Sequence, residues 1–159
     1  MSNDRRRQRS TRILVASTLI TASAVFVAVA VVTASQGTLV AAAITAVDPQ
    51  RISAVILDIT NAEHLAALAE SLPPRLDAVV NNAGIAVAGP VEAVTVGDWR
   101  KQLDINVIGQ LAVTRAVLPK LRESRGRIVF ISSVNGRLSV PLLGPYCASK
   151  FALEAAADA

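Results

Sequence analysis

Short apolar runs that end on a polar or glycine residue, with helical patterns between them, constrain this chain most. Residues 52–58 read ISAVILD, residues 76–80 LDAVV and residues 127–131 RIVFI. Each reads as a short strand buried in a parallel sheet. The first ends at Asp58, the second runs into Asn81-Asn82-Ala83-Gly84, and the third ends at Ser132-Ser133. Between the first two, Thr60-Asn61-Ala62-Glu63 reads as a capping box. It opens a helix with Leu65, Leu68 and Leu72 on one face, and Pro73-Pro74 stops it. His64, in the first turn of that helix, reads as a solvated residue without a role. A longer helical pattern runs from Asp98 to about Arg122, with Trp99, Leu103, Val107, Leu111 and Val113 among its apolar positions. Pro119 is expected to kink its last turn. Arg125-Gly126 reads as a turn, and a loop over residues 134–145 leads into a last helix. Strands alternating with helices predict an α/β fold, a doubly wound parallel sheet in three α/β/α layers. Ligands of such sheets bind beyond the carboxyl ends of the strands, where Asp58, Asn81 to Gly84 and Ser132-Ser133 fall.

The chain has 159 residues, enough for one domain with a real core. Its formal net charge of +4 belongs to a tail, because Arg5, Arg6, Arg7, Arg9 and Arg12 stand against Asp4 there. The remainder carries 11 positive and 11 negative side chains and is neutral. No aromatic residues interleave with the basic ones, so the pattern does not point to nucleic acid. Cys147 is the single cysteine and has no intrachain disulfide partner. His64 is the single histidine, and no Cys/His cluster has the spacing of a metal site.

Tyr146 and Lys150 stand four residues apart in LSVPLLGPYCASKFAL, residues 138–153. On a helix that spacing puts both on one face, with about 5–6 Å between Cβ atoms. An ammonium beside a phenol favours the phenolate. A tyrosine in such a setting exchanges a proton with an alcohol or carbonyl oxygen. Alone, Y-x-x-x-K is equally an ordinary surface pair.

Four features in order resemble the short-chain dehydrogenase/reductase family over roughly residues 52–159. They are Asn81-Asn82-Ala83-Gly84 after a strand, Asn106 within Asp104-Ile105-Asn106-Val107-Ile108-Gly109, Ser133 after RIVFIS, and Tyr146-x-x-x-Lys150 thirteen residues beyond Ser133. The resemblance implies a Rossmann-like fold and a nicotinamide-dependent oxidoreductase that interconverts an alcohol and a carbonyl by hydride transfer. It implies Tyr146 as general acid/base and Lys150 as the residue that tunes Tyr146 and binds the nicotinamide ribose. Ser133 would hold the substrate oxygen, and Asn106 a water linking Lys150 to solvent. Asp58, Ile59, Asn82, Ala83 and Gly84 would line the cofactor site, with Asp58 at the adenine. The cofactor is NAD or NADP, the choice unreadable. The wording Gly144-Pro145-Tyr146-Cys147-Ala148-Ser149-Lys150-Phe151-Ala152-Leu153-Glu154 is similar to members acting on apolar alcohols or ketones. A homo-oligomer is compatible with the resemblance.

Two departures accompany it. The family opens with a strand and a T-G-x-x-x-G-x-G turn, whose glycines let backbone approach the pyrophosphate. Here residues 13–15 suit the first strand, but Ala16-Ser17-Thr18-Leu19-Ile20-Thr21 holds no glycine, and the one glycine before Gly84 is Gly37. Second, the sequence ends within the Tyr146 helix, so the fold is expected to be incomplete at its C-terminus as well as atypical at its N-terminus. The chain thus divides into a basic disordered tail over 1–12, an apolar segment over 13–47 and a partial dinucleotide-binding domain over 48–159. No charged residue occurs from Ile13 to Val47. Residues 13–32, ILVASTLITASAVFVAVAVV, are long enough to span a bilayer and follow arginines. Export is a further reading, with small residues near 28–34 as a cleavage site. The run is nevertheless rich in Val, Thr and Ser and poor in Leu, and the positive-inside rule would carry the domain away from cytosolic cofactors. The expectation is a cytoplasmic protein, with anchoring through 13–32 as the alternative. Residues 19–46 are read either as a frame-shifted glycine-rich region or as an anchor replacing the first βαβ unit. An inactive remnant is the corresponding alternative function.

Overall fold

The computed structural model describes residues 12–16, 25–30, 45–47 and 53–159. Five strands form one parallel sheet: β1 (Arg12–Ala16), β2 (Val25–Ala30), β3 (Ser53–Ile56), β4 (Ala78–Asn81) and β5 (Arg127–Phe130). Their order is β3-β2-β1-β4-β5. Leu14 pairs with Val27 on one side and Val79 on the other, which places β1 at the centre. Chain order reverses between β1 and β4, the switch point at which Rossmann-like sheets open their ligand crevice. β5 is outermost, and Ile128 and Val129 are about two-fifths exposed along it.

The three strands expected from the apolar runs are present, and the first-strand reading of residues 13–15 is matched by β1. Both described parts of the 13–32 run are sheet strands, where an anchor requires one continuous helix. No helix among the described residues is long and apolar enough to cross a membrane. The tail over residues 1–11 and most of the stretch over 19–46 lie outside the described residues.

Four helices follow β3: α1 (Ala62–Ser71), α2 (Val96–Leu103), α3 (Gln110–Ser124) and α4 (Gly144–Asp158). The capping of α1 differs from expectation by one residue. Asn61, not Thr60, is the N-cap, and its side chain accepts from the N–H groups of Glu63 and His64. Thr60 is drawn back instead to the Asp58 carboxylate, which accepts from its N–H at 2.9 Å and its hydroxyl at 2.7 Å. His64 also does more than sit in solvent, since its Nδ1 accepts from the Asp58 N–H at 3.1 Å. The long pattern begins earlier than expected, with Thr95 and Asp98 forming a capping box. It is not one regular helix. α2 and α3 are joined by a π-helical turn, Asp104–Gly109. Pro119 lies inside α3, which continues to Ser124.

The core joins α1, α3 and the sheet. Leu57, Ile59, Leu68, Leu72, Leu76, Val79, Val113, Val117 and Leu121 are buried together. Fully burying one such side chain contributes about 1.5–3 kcal/mol. The turn into β5 ties this core off. Arg125 takes the left-handed conformation, φ 54, that usually selects glycine at a helix end. Gly126 is required for a different reason: a Cβ there would lie 2.8 Å from the carbonyl oxygens of both Leu76 and Asp77. Gly126→Ala is expected to cost about 1–3 kcal/mol through this overpacking. Arg125→Gly is expected to be neutral or to stabilise by up to about 1 kcal/mol, because Gly carries no penalty at positive φ. Urea denaturation of the two variants checks the opposite signs.

Candidate active site

β4 ends at Asn81, after which the chain leaves the sheet. The last bond of the β4–β5 ladder is from the Ile131 N–H to the Asn81 carbonyl, 2.8 Å. The next residues carry backbone groups that need other partners. Helix side chains supply them. The Gln110 Nε2 donates to the Ala83 carbonyl. The Asn106 Oδ1 accepts from the Ile85 N–H at 2.8 Å, and its Nδ2 donates to the Ile85 carbonyl at 2.9 Å. The Gln102 Oε1 accepts from the Val87 N–H at 2.7 Å, and its Nε2 donates to the Ile85 carbonyl at 2.8 Å. Below them the Asn81 Nδ2 donates to the Thr114 hydroxyl at 2.8 Å. All four helix side chains are buried.

Beyond the ends of β4 and β5 this arrangement leaves a hollow of about 350 Å³, lined by Asn82, Gly84, Ile85, Ala86, Ile131, Ser132, Tyr146 and Lys150. Tyr146 and Lys150 come from the first two turns of α4, and Pro145 sits at the start of that helix, where its missing N–H costs nothing. The Lys150 Nζ lies 5.8 Å from the centre of the Tyr146 ring. It donates to the Ile131 carbonyl at 2.8 Å, so the ammonium also fastens α4 to the end of β5. Lys150 is only 6% exposed. Burial pushes its ammonium below the ordinary lysine range, and the charge of Glu154 one turn on partly opposes this.

The remaining expected residues are placed unevenly. Asn82 and Gly84 open onto the hollow, and Ala83 is buried beneath it. Asn106 is fully buried, with both polar atoms engaged by Ile85 and its Nδ2 also 3.0 Å from the Ser149 hydroxyl. Its side chain therefore acts on the hollow by holding Ile85. The Ser133 hydroxyl accepts from the Asn135 N–H at 3.2 Å, and it is the neighbouring Ser132 that lines the hollow. Asp58 is exposed at the end of β3, away from the hollow, and its carboxyl is held below the usual range by the Thr60 hydroxyl, the Thr60 N–H and His64. The Ile59 side chain is 1% exposed and packs in the core, where a Cβ on Gly109 would meet it at 2.7 Å, which leaves its backbone as the part that can face a cofactor. Sequence reasoning missed Gln102, Gln110, Thr114 and Ser149. The signal was present, since 102, 106, 110 and 114 are polar at every fourth position of one helical run.

A parallel sheet with this switch point, and a Tyr–Lys pair facing a glycine at the adjacent strand end, define a class of nucleotide-dependent α/β enzymes. Comparison with known proteins narrows the class. The family model for short chain dehydrogenases matches residues 14–159. Retinol dehydrogenase 5 of Mus musculus is 40% identical over 114 residues, covering 68% of this chain and 36% of the relative. A 3-amino-tetrahydro-pyrrolizinone reductase of Xenorhabdus hominickii is 42% identical over 114 residues, covering 69% of this chain and 40% of the relative. A short-chain dehydrogenase structure from Streptomyces avermitilis superposes with a TM-score of 0.78 at 28% identity, over 94% of this chain and 59% of that one. A short chain dehydrogenase from Escherichia coli CFT073 complexed with NADPH gives 0.75 at 28% identity, over 91% and 68%. The chain belongs to the short-chain dehydrogenase/reductase family, whose members are NAD(P)-dependent oxidoreductases. The matches span well under half the length of these two curated relatives.

The residues present fit one end of a nicotinamide dinucleotide. Asn82, Gly84, Tyr146 and Lys150 line one hollow and bring amide, hydroxyl and ammonium groups to it, while a Cβ on Gly84 would turn toward the Asn106 carboxamide, 3.4 Å away. The pyrophosphate end does not fit as well. β1 and β2 are parallel and only the eight residues 17–24, STLITASA, join them. None of the eight is the glycine that a backbone phosphate cradle needs.

The lowered pKa of Lys150 has a definite consequence for stability. Just below its ordinary value of 10.5 the folded chain binds fewer protons at Lys150 than the unfolded chain does, so stability gains as pH rises through this window. Lys150→Met is expected to lack that gain. Denaturation midpoints of both chains, measured between about pH 8 and 10, check the sign.

Proposed function

We propose that this chain carries the catalytic centre of an NAD(P)-dependent oxidoreductase that interconverts an alcohol and a carbonyl. The observation that supports this best is the single hollow onto which Asn82, Gly84, Tyr146 and Lys150 all open. The nicotinamide, when bound, supplies or accepts the hydride at the substrate carbon. The chain's own part is orientation and one proton. In reduction the Tyr146 hydroxyl gives its proton to the substrate oxygen as the carbonyl becomes an alcohol. In oxidation the phenolate takes that proton back. Lys150 lies beside the ring and is held in place by the Ile131 carbonyl. Ser133 orients the substrate oxygen. Asn106 keeps Ile85 in the wall of the hollow. Asp58 reaches the adenine end with the carboxylate oxygen that Thr60 leaves over. NAD and NADP both remain candidates.

The substrate class we propose is an apolar alcohol or ketone. Two features support it: the likeness to retinol dehydrogenase 5, and Ile85, Ala86 and Ile131 among the lining residues. A small-molecule substrate, a cytoplasmic setting and a homo-oligomer agree with this reading. A second reading, a chain that keeps the fold without turnover, is favoured by the short glycine-free connection between β1 and β2.

NADPH titration of the full chain, followed by nicotinamide fluorescence, separates the two readings. Binding that is weak but saturable is expected, since the pyrophosphate grip is reduced. Tyr146→Phe is expected to keep that affinity within about threefold and to lower turnover of an apolar ketone by about 10²–10⁴. Turnover unaffected by Tyr146→Phe would exclude the assigned proton donor. A folded chain that binds neither NADPH nor NADH would leave the second reading.

A further inference from the structure

Residues 102, 106, 110 and 114 pair with residues 87, 85, 83 and 81 in strict succession. Gln102 meets Val87, Asn106 meets Ile85, Gln110 meets Ala83 and Thr114 meets Asn81. Geometry explains the match. Four helical residues rise about 6 Å, and two extended residues rise about 6.6 Å. An extended segment lying antiparallel to a helix therefore meets a new helical side chain at every second residue. Every fourth residue of an α-helix also drifts by ~40° around the axis. The π-turn at Asp104–Gly109, with its wider i→i+5 closure, takes up part of that drift and keeps the four side chains on one face. The carboxamides stand in for a missing neighbouring strand: each offers one acceptor and one donor pair, as a peptide group does.

The ladder does not stop at the extended segment. The Ser149 hydroxyl receives the Asn106 Nδ2 at 3.0 Å and the Gln102 Nε2 at 3.4 Å, and donates to the Tyr146 carbonyl at 2.7 Å. Ser149 is fully buried and lies between Tyr146 and Lys150. Gln102, also fully buried, is thus bonded both to the wall of the hollow at Ile85 and Val87 and to the helix that carries Tyr146.

We propose that Gln102 is a positioning residue, which through Ser149 fixes the 85–87 wall against Tyr146 so that the two sides of the hollow hold one geometry. It touches neither substrate nor cofactor. A leucine or methionine of similar volume would fill the same space but leave the Val87 N–H without its acceptor. The functional part rests on the nicotinamide oxidoreductase reading, and the structural part stands without it.

Backbone amide exchange and NADPH titration of the full chain test the proposal with Gln102→Met, Ser149→Ala and the double variant. Gln102→Met is expected to speed exchange at Val87 by about tenfold or more. Ile85, still held by Asn106, and the amides of β4 and β5 are expected to stay as they were. NADPH affinity is expected to fall about fivefold in each single variant, and by clearly less than the product of the two in the double variant, because both act through one network. Unchanged exchange at Val87, equal loss of protection through β4 and β5, or multiplicative effects on affinity would each overturn the proposal. Should Gln102→Met not fold, Gln102→Glu keeps the shape and the acceptor. It is then expected to hold Val87 protected while weakening NADPH, and loss of protection at Val87 or unchanged affinity would count against us. If the unmodified chain binds neither NADPH nor NADH, the oxidoreductase reading fails, and the exchange pattern alone decides whether Gln102 holds the wall.

Discussion

Buried carboxamides on one helical face are what the candidate site depends on. After Asn81 the chain loses its strand neighbours, and residues 82–88 form no regular element. Buried backbone groups without partners each cost about 1–3 kcal/mol. Gln102, Asn106 and Gln110 remove that cost and so let the strand end be shaped as an open wall of the hollow. The same side chains would be expensive anywhere else in a core, because each needs several partners in fixed directions. Their worth lies in the match between helix rise and extended-chain rise, which a regular α-helix alone would lose by rotation. The π-turn is therefore part of the site's construction.

Lys150 shows how one side chain serves fold and chemistry together. Its burial is tolerable because the Ile131 carbonyl accepts from it and Glu154 lies one turn away. That bond ties the last helix to the outermost described strand, and it also leaves the ammonium beside the Tyr146 ring. Movement of β5 would thus be felt at Tyr146. The N-terminal strands are built differently. Their parallel pairing brings β1 to the centre of the sheet, and the eight residues that join them hold no glycine.

Much of this was readable from residues. Apolar runs ending at Asp58, Asn81 and Ser132 gave strands and the side of the sheet where a ligand would sit, because burial on both faces leaves a continuous apolar signature. Tyr146 and Lys150 were readable because helical spacing alone places them on one face. The cap of α1 was misplaced by one residue, since Thr60 and Asn61 are both good caps and only the Asp58 carboxylate decides between them. The burial of Ile59 follows from its neighbour Asp58 facing solvent, since alternation at a strand end turns the next side chain into the core.

By itself the sequence determined the strand–helix alternation, the Tyr–Lys pair and the absence of glycine before Gly37, all of which are local facts of pattern and composition. Tertiary structure decided what Gln102, Asn106, Gln110 and Ser149 do. Polar residues at every fourth position of a helix look like a solvated face until an extended segment is laid against them. That contact joins residues 15 to 33 positions apart in the chain, which no local pattern encodes.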